Sequence, residues 1–160
     1  MNRPANSGPA LARSDLTEAG LDVPSGRGFI ALLEAFRATG GTAPGEILGR
    51  LLAEYQFGHT VSLAKLIYSG QVFSFEWRSS LWIPMFQFEA RDLTLCSGAQ
   101  QVRTNLPSMW SGWNIASWFA SANAQLNASR PVDLLASDLQ AVMQAASSVA
   151  SVDHYAHDVA

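Results

Sequence analysis

Apolar residues in the first half of the chain recur at helical intervals. They are spaced three or four apart over 29–36, 47–55 and 63–67, which predicts three amphipathic helices. Thr60 and Ser62 are the two candidate caps of the third helix, because their hydroxyls can accept a bond from a free backbone amide.

The spacing of the apolar residues then changes from helical to alternating. Apolar and polar residues alternate over 73–77, which predicts a strand with one apolar face. The polar residues 78–80 predict a turn, and the returning strand is predicted over 81–88. Pro84 lacks an amide proton, so we expect it at a sheet edge or at an unpaired position.

Helical spacing returns in the last third of the chain. A short helix is predicted over 100–106 and an aromatic helix over 113–122, and the polar segment 123–129 follows them. Pro131 is tolerated only in the first turn of a helix, so a new helix is predicted to begin there. Ser137 opens a capping-box pattern, which predicts the start of the last helix.

These patterns divide the chain into two predicted parts with a tail at each end. A helical unit with a hairpin is predicted at 28–99, and a helical module at 100–152. Residues 1–27 are rich in Pro, Gly, Ser, Ala and Asn, which predicts a disordered tail. Residues 153–160 are expected to fray.

The composition indicates a protein partner. The 160 residues are 48% hydrophobic and only 14% charged, and they include five Trp and eight Phe. A chain of this kind is expected to leave apolar surface exposed after its core is filled, and aromatic side chains are favoured anchors of interfaces. The net charge of −3 argues against a dedicated nucleic-acid binder, since such proteins are usually basic.

The titratable residues do not form a catalytic pattern. Cys96 is the single cysteine, which excludes an intrachain disulfide and fits a reducing, cytoplasmic compartment. His59 is expected in a loop, and for His154 and His157 a solvated tail is favoured over a weak metal site. Since phosphate-binding and nucleophile motifs are missing, we predict a chain that is not an enzyme and uses neither metal nor cofactor. No apolar run approaches the length of a membrane span.

The predicted third helix and the residues after it are similar to the recognition helix and wing of excisionase-type winged helix-turn-helix domains. Such a helix would lie in the major groove of operator DNA. The candidate DNA-binding residues are Ser62, Lys65 and Arg78. Glu76 opposes the two cations, and the charges sum to zero over 60–89. This balance favours a scaffold without DNA affinity over a DNA-binding one.

The C-terminal module carries the series Trp-Phe, Asn, Leu and Arg-Pro-x-Asp-Leu-Leu. In this it resembles the toxin-binding module of the Xre/MbcA/ParS antitoxins, and the Pro-x-Phe-Gln-Phe stretch at 84–88 resembles a strand that precedes this module in some family members. The resemblance implies a RES-domain toxin, which degrades NAD, as the partner whose active site is blocked. The implied toxin-binding residues are Trp118, Asn123, Leu126, Arg130, Pro131, Asp133 and Leu134.

The apolar spacing and the two resemblances together define the expected fold class. It is mainly α with one β-hairpin, and a three-helix unit like a winged helix-turn-helix precedes the helical toxin-binding module. The chain departs from the family in the turn. Family members often have Pro before the Asn and Trp-Leu-Gly-Gly after it, whereas this chain has Ala122 and the residues Gln-Leu-Asn-Ala at 125–128.

Two interpretations of the motif remain open at this point. If Asn123, Leu126 and Arg130 face a partner, Arg130→Glu should weaken toxin binding and leave stability unchanged. Alternatively, Leu126 packs the helices together and Arg130 pairs with Asp133.

Three classes of function follow from these interpretations. The leading hypothesis is an antitoxin-like protein that neutralises a RES toxin. The alternative is a DNA-binding regulator, and the two functions are compatible, because antitoxins of this kind often regulate their own operator. A plain adaptor domain is the third, and a homo-oligomer is compatible with each.

Overall fold

The computed structural model describes residues 23–55 and 62–157, with side chains as far as Ser151. This part of the chain is mainly helical and contains a small three-stranded antiparallel sheet. The elements are α1 Gly26–Phe36, β1 Thr42–Pro44, α2 Gly45–Tyr55, α3 Leu63–Tyr68, β2 Phe75–Trp77, β3 Ser80–Pro84, α4 Ser97–Asn105, α5 Gly112–Ala120, α6 Pro131–Leu134 and α7 Leu139–His157.

Serine caps begin the first and third helices. The Ser25 hydroxyl accepts a hydrogen bond from the amide of Gly28 at 3.0 Å, and the Ser62 hydroxyl accepts one from the amide of Lys65 at 3.2 Å. Ser62 is thus one of the two predicted caps. Thr60 lies outside the described residues.

The sheet is larger than the predicted hairpin. Strand β3 lies in the centre and pairs antiparallel with β2 on one side and with β1 on the other. The hairpin turn has positive φ at both Arg78 and Ser79, which is the geometry of a type I′ turn and matches the predicted turn.

The returning strand is shorter than predicted. It ends at Pro84, and Met85–Gln87 form a 3₁₀ turn, so the expectation of a strand over 81–88 is wrong. Pro84 lies at the end of a central strand rather than at an edge. It needs no amide proton there, because the ladder continues through the Met85 amide, which donates to the Gly41 carbonyl at 2.9 Å.

Beyond the end of strand β3, the Gln87 side chain forms hydrogen bonds with backbone groups on both sides of it. Its Oε1 accepts from the Phe73 amide at 2.9 Å, and its Nε2 donates to the carbonyls of Phe73 and Pro84 at 2.9 and 3.1 Å. Gln87 is buried, and these three bonds satisfy a polar side chain inside the fold.

Two hydrophobic clusters form the core of the described residues. The smaller cluster joins α2 and α3 to β3 and contains Leu48, Leu52, Leu63, Leu66, Val72, Ile83 and Phe88. The larger cluster joins α1 to β2 and to helices α4, α5 and α7, and its central rings are Phe36, Phe73, Phe75, Phe86, Trp113 and Phe119.

The predicted division of the chain at 99 and 100 falls inside α4, and the larger cluster crosses it. The helical structure also extends further towards both ends of the chain than predicted. Helix α1 already begins at Gly26, within the predicted tail 1–27, and α7 continues through His157, beyond the predicted end at 152. Residues 1–22 and 158–160 lie outside the description.

The cap of the last helix lies one residue later than predicted, and the helix begins at Leu139. Asp138 Oδ1 accepts from the amide of Ala141 at 3.2 Å, so Asp138 takes the capping role expected of Ser137. None of the helices in the described part of the chain is long and apolar enough to cross a membrane.

Candidate partner-binding site

The turn between α5 and α6 is closed by its own backbone. The Asn123 amide donates to the Ser129 carbonyl at 3.0 Å, and the Asn123 carbonyl accepts from the amides of Leu126 and Ala128, both at 3.0 Å. The Asn123 side chain also contributes, since its Oδ1 accepts from the amide of Gln125 at 2.9 Å. Asn123 therefore holds the turn together instead of projecting freely from it.

The second half of this turn has a left-handed backbone. The φ angles of Asn127 and Ala128 are +53° and +63°. Asparagine tolerates this conformation, but for alanine the Cβ atom makes it unfavourable by about 1–2 kcal/mol. A glycine would fit both positions without that penalty.

Three residues of the predicted site are part of the core. Trp118, Leu126 and Pro131 are buried. The expectation that the Leu126 side chain faces a partner is wrong, because the 3₁₀ turn Ala124–Leu126 directs it into the larger cluster. The alternative interpretation, in which Leu126 packs the helices together, is confirmed.

Arg130 connects the start of α6 to the end of α1. Its Nε and Nη2 donate to the two carboxylate oxygens of Asp133 at 2.6 and 2.8 Å, which is a bidentate pair. Its Nη1 donates to the Ala35 carbonyl at 3.0 Å. The pairing of Arg130 with Asp133 is confirmed, and a direct contact of Arg130 with a partner stays a prediction.

The side chains that remain available at the turn form one candidate surface. It is polar and small, and it carries one acidic group, the partly exposed Asp133. We call it the turn surface, and it consists of Gln125, Asn127, Ala128, Asp133 and the half-buried Leu134.

The candidate DNA-binding side chains lie on two elements, α3 and the hairpin turn. Leu63 and Leu66 are buried, and the opposite side of the helix exposes Lys65 and Tyr68, the latter with 95% of its surface. The Arg78 guanidinium lies 5.6 Å from the centre of the Trp77 ring, a cation–π contact that restrains it. We call Lys65, Tyr68 and Arg78 the wing surface. Tyr68 was missed by the sequence reasoning, because its exposure depends on how α3 packs.

The third predicted DNA-binding residue has a structural role. The Ser62 hydroxyl accepts the capping bond of α3, although its hydrogen remains available for another acceptor.

The remaining titratable residues do not add a reactive site. Cys96 is half-buried, and among the described residues there is no group of three metal-ligating side chains. His59 and the side chains of His154 and His157 lie outside the described part. The backbone amide and then the hydroxyl of Thr94 lower the pKa of Asp92, and burial lowers the pKa of Arg103.

No model of a known family, no curated protein and no solved structure matches this chain.

Proposed function

We propose that this chain is a non-catalytic, antitoxin-like protein that binds and neutralises a RES-type toxin through its C-terminal helical module. The observation that carries the proposal is the backbone of the turn. Where the Xre/MbcA/ParS-like motif has Gly-Gly, this chain has Asn127 and Ala128, and both have the positive φ that glycine favours. This agreement between the motif's Gly-Gly and the backbone conformation at the two positions supports the resemblance.

The Arg-Pro-x-Asp segment supports the proposal in a second way. The bidentate pair between Arg130 and Asp133 and the bond to Ala35 hold the start of α6 against α1. A preformed surface loses little conformational freedom when it binds, which favours tight association. Of the motif residues, Asn123, Arg130, Asp133 and Leu134 keep part of their surface exposed at or beside the turn, so the partner contacts are proposed for the turn surface.

The test is co-expression with the product of the neighbouring reading frame, followed by pull-down and by measurement of cellular NAD. We expect a stable complex and an NAD level restored to that of cells without the toxin. A RES-domain product that neither binds the chain nor is neutralised by it would contradict the proposal.

A matched pair of variants locates the contact. Gln125 is exposed on the turn, and Gln101 is exposed on α4. Gln125→Arg should weaken binding of the toxin at least about tenfold, as expected for a charge placed inside an interface. Gln101→Arg introduces the same charge elsewhere and should leave the affinity unchanged. Equal effects of the two variants would exclude the turn surface as the contact.

The second candidate function is operator binding through the wing surface. The order helix, strand, helix, helix, strand, strand and the sheet order β1-β3-β2 are compatible with a winged helix-turn-helix, with α3 as the recognition helix. The exposed cations Lys65 and Arg78 favour this candidate. Their small number keeps it second to toxin binding.

Salt-dependent gel shifts test this second function. Lys65→Ala and Arg78→Ala should each reduce the slope of log affinity against log salt by about one, if each cation contacts a phosphate. Arg37→Ala is the control, because Arg37 is an exposed cation that is not part of the wing surface. Unchanged slopes in the first two variants would assign any DNA affinity to another surface.

A further inference from the structure

We draw no further inference here: the strongest candidate, the surface patch on α2 at which Ile47, Leu51 and Tyr55 are exposed, carries none, because nothing in the structure shows what covers it.

Discussion

The two hydrophobic clusters of this protein are built differently. The larger one is held by ring contacts, with Phe119 stacked on Phe73 at 5.8 Å between ring centres and tilted against Phe86 at 4.8 Å. The smaller one, between α2, α3 and β3, is mainly aliphatic, and Phe88 is the single ring among its buried, described members. Of the elements around this smaller cluster, α2 also has exposed apolar side chains, which are Ile47, Leu51 and Tyr55.

The two clusters support different surfaces of the molecule. The aromatic cluster joins the first helix to the C-terminal helices, so the turn surface is supported from both halves of the chain. The aliphatic cluster supports a helix pair whose outer side remains open to partners. We therefore expect substitutions around the aromatic cluster to cost more stability than matched substitutions on α2.

The largest effect is expected at Gly112, where α5 meets the sheet. A Cβ atom there would overlap the carbonyl group of Ser74, which is backbone and cannot rotate away. Gly112→Ala should therefore reduce the free energy of unfolding by at least about 3 kcal/mol, as measured by urea denaturation.

Gly49 in α2 provides the matched control. A Cβ there would lie 4.0 Å from the Leu63 Cβ, an ordinary contact. Gly49→Ala should raise stability by about 0.5–1 kcal/mol, since alanine is the better helix former. Equal losses at both glycines would mean that the two clusters do not differ in tolerance.

The next effect is expected at Gln87. Gln87→Leu keeps the approximate size of the side chain but leaves the Phe73 amide and two carbonyls without their bonds. The free energy of unfolding should fall by about 2–3 kcal/mol. Gln101→Leu on the exposed side of α4 should change it by less than about 0.5 kcal/mol. A small effect at Gln87 would show that the sheet does not depend on this side chain.

Local features of the fold were predictable because their causes are local. The Ser62 cap and the turn at Arg78-Ser79 follow from residues three or four apart. Strand β1 was missed, because three residues ending in Pro44 have no alternating pattern. It exists through pairing with β3, about 40 residues away in the chain.

In the candidate site, too, only contacts between residues close in the chain were predictable. Asp133 lies three residues from Arg130, and this pairing was among the predicted alternatives. The bond from Arg130 to the Ala35 carbonyl crosses 95 residues and has no sequence signal. An apolar residue in a polar turn is equally ambiguous, and only packing shows that Leu126 faces the core.

A moderate effect is expected when the Arg130 connection is removed. Arg130→Ala loses the bidentate pair and leaves the Ala35 carbonyl without its donor. Stability should fall by about 1–2 kcal/mol, since bonds to charged groups are stronger than an exposed ion pair. Arg50→Ala on α2 loses an exposed pair at 3.3 Å and should cost less than about 0.5 kcal/mol.

The same variant distinguishes the two interpretations of the motif. If Arg130 contacts the toxin directly, binding falls while stability is kept. If it holds α6 against α1, stability falls first, and any loss of binding follows from it. The structure favours the second result, and unchanged stability of Arg130→Ala would contradict it.

The smallest effect is expected in the turn, and it has the opposite sign. Ala128→Gly removes the unfavourable contact of a Cβ atom at φ +63°, but it also adds freedom to the unfolded chain. The first term is the larger, so stability should rise by about 0.5 kcal/mol. Urea denaturation resolves this difference if wild type and variant are measured together.

Ala136→Gly is the control, because Ala136 is also exposed and has no positive φ. There only the entropy of the unfolded chain changes, so stability should fall by about 0.5 kcal/mol. The same chemical change thus has opposite effects at two positions eight residues apart. If Ala128→Gly destabilises the protein as Ala136→Gly does, the turn is not left-handed at Ala128. The agreement between the backbone and the Gly-Gly of the antitoxin motif would then be lost, and with it the main support for a toxin-binding turn.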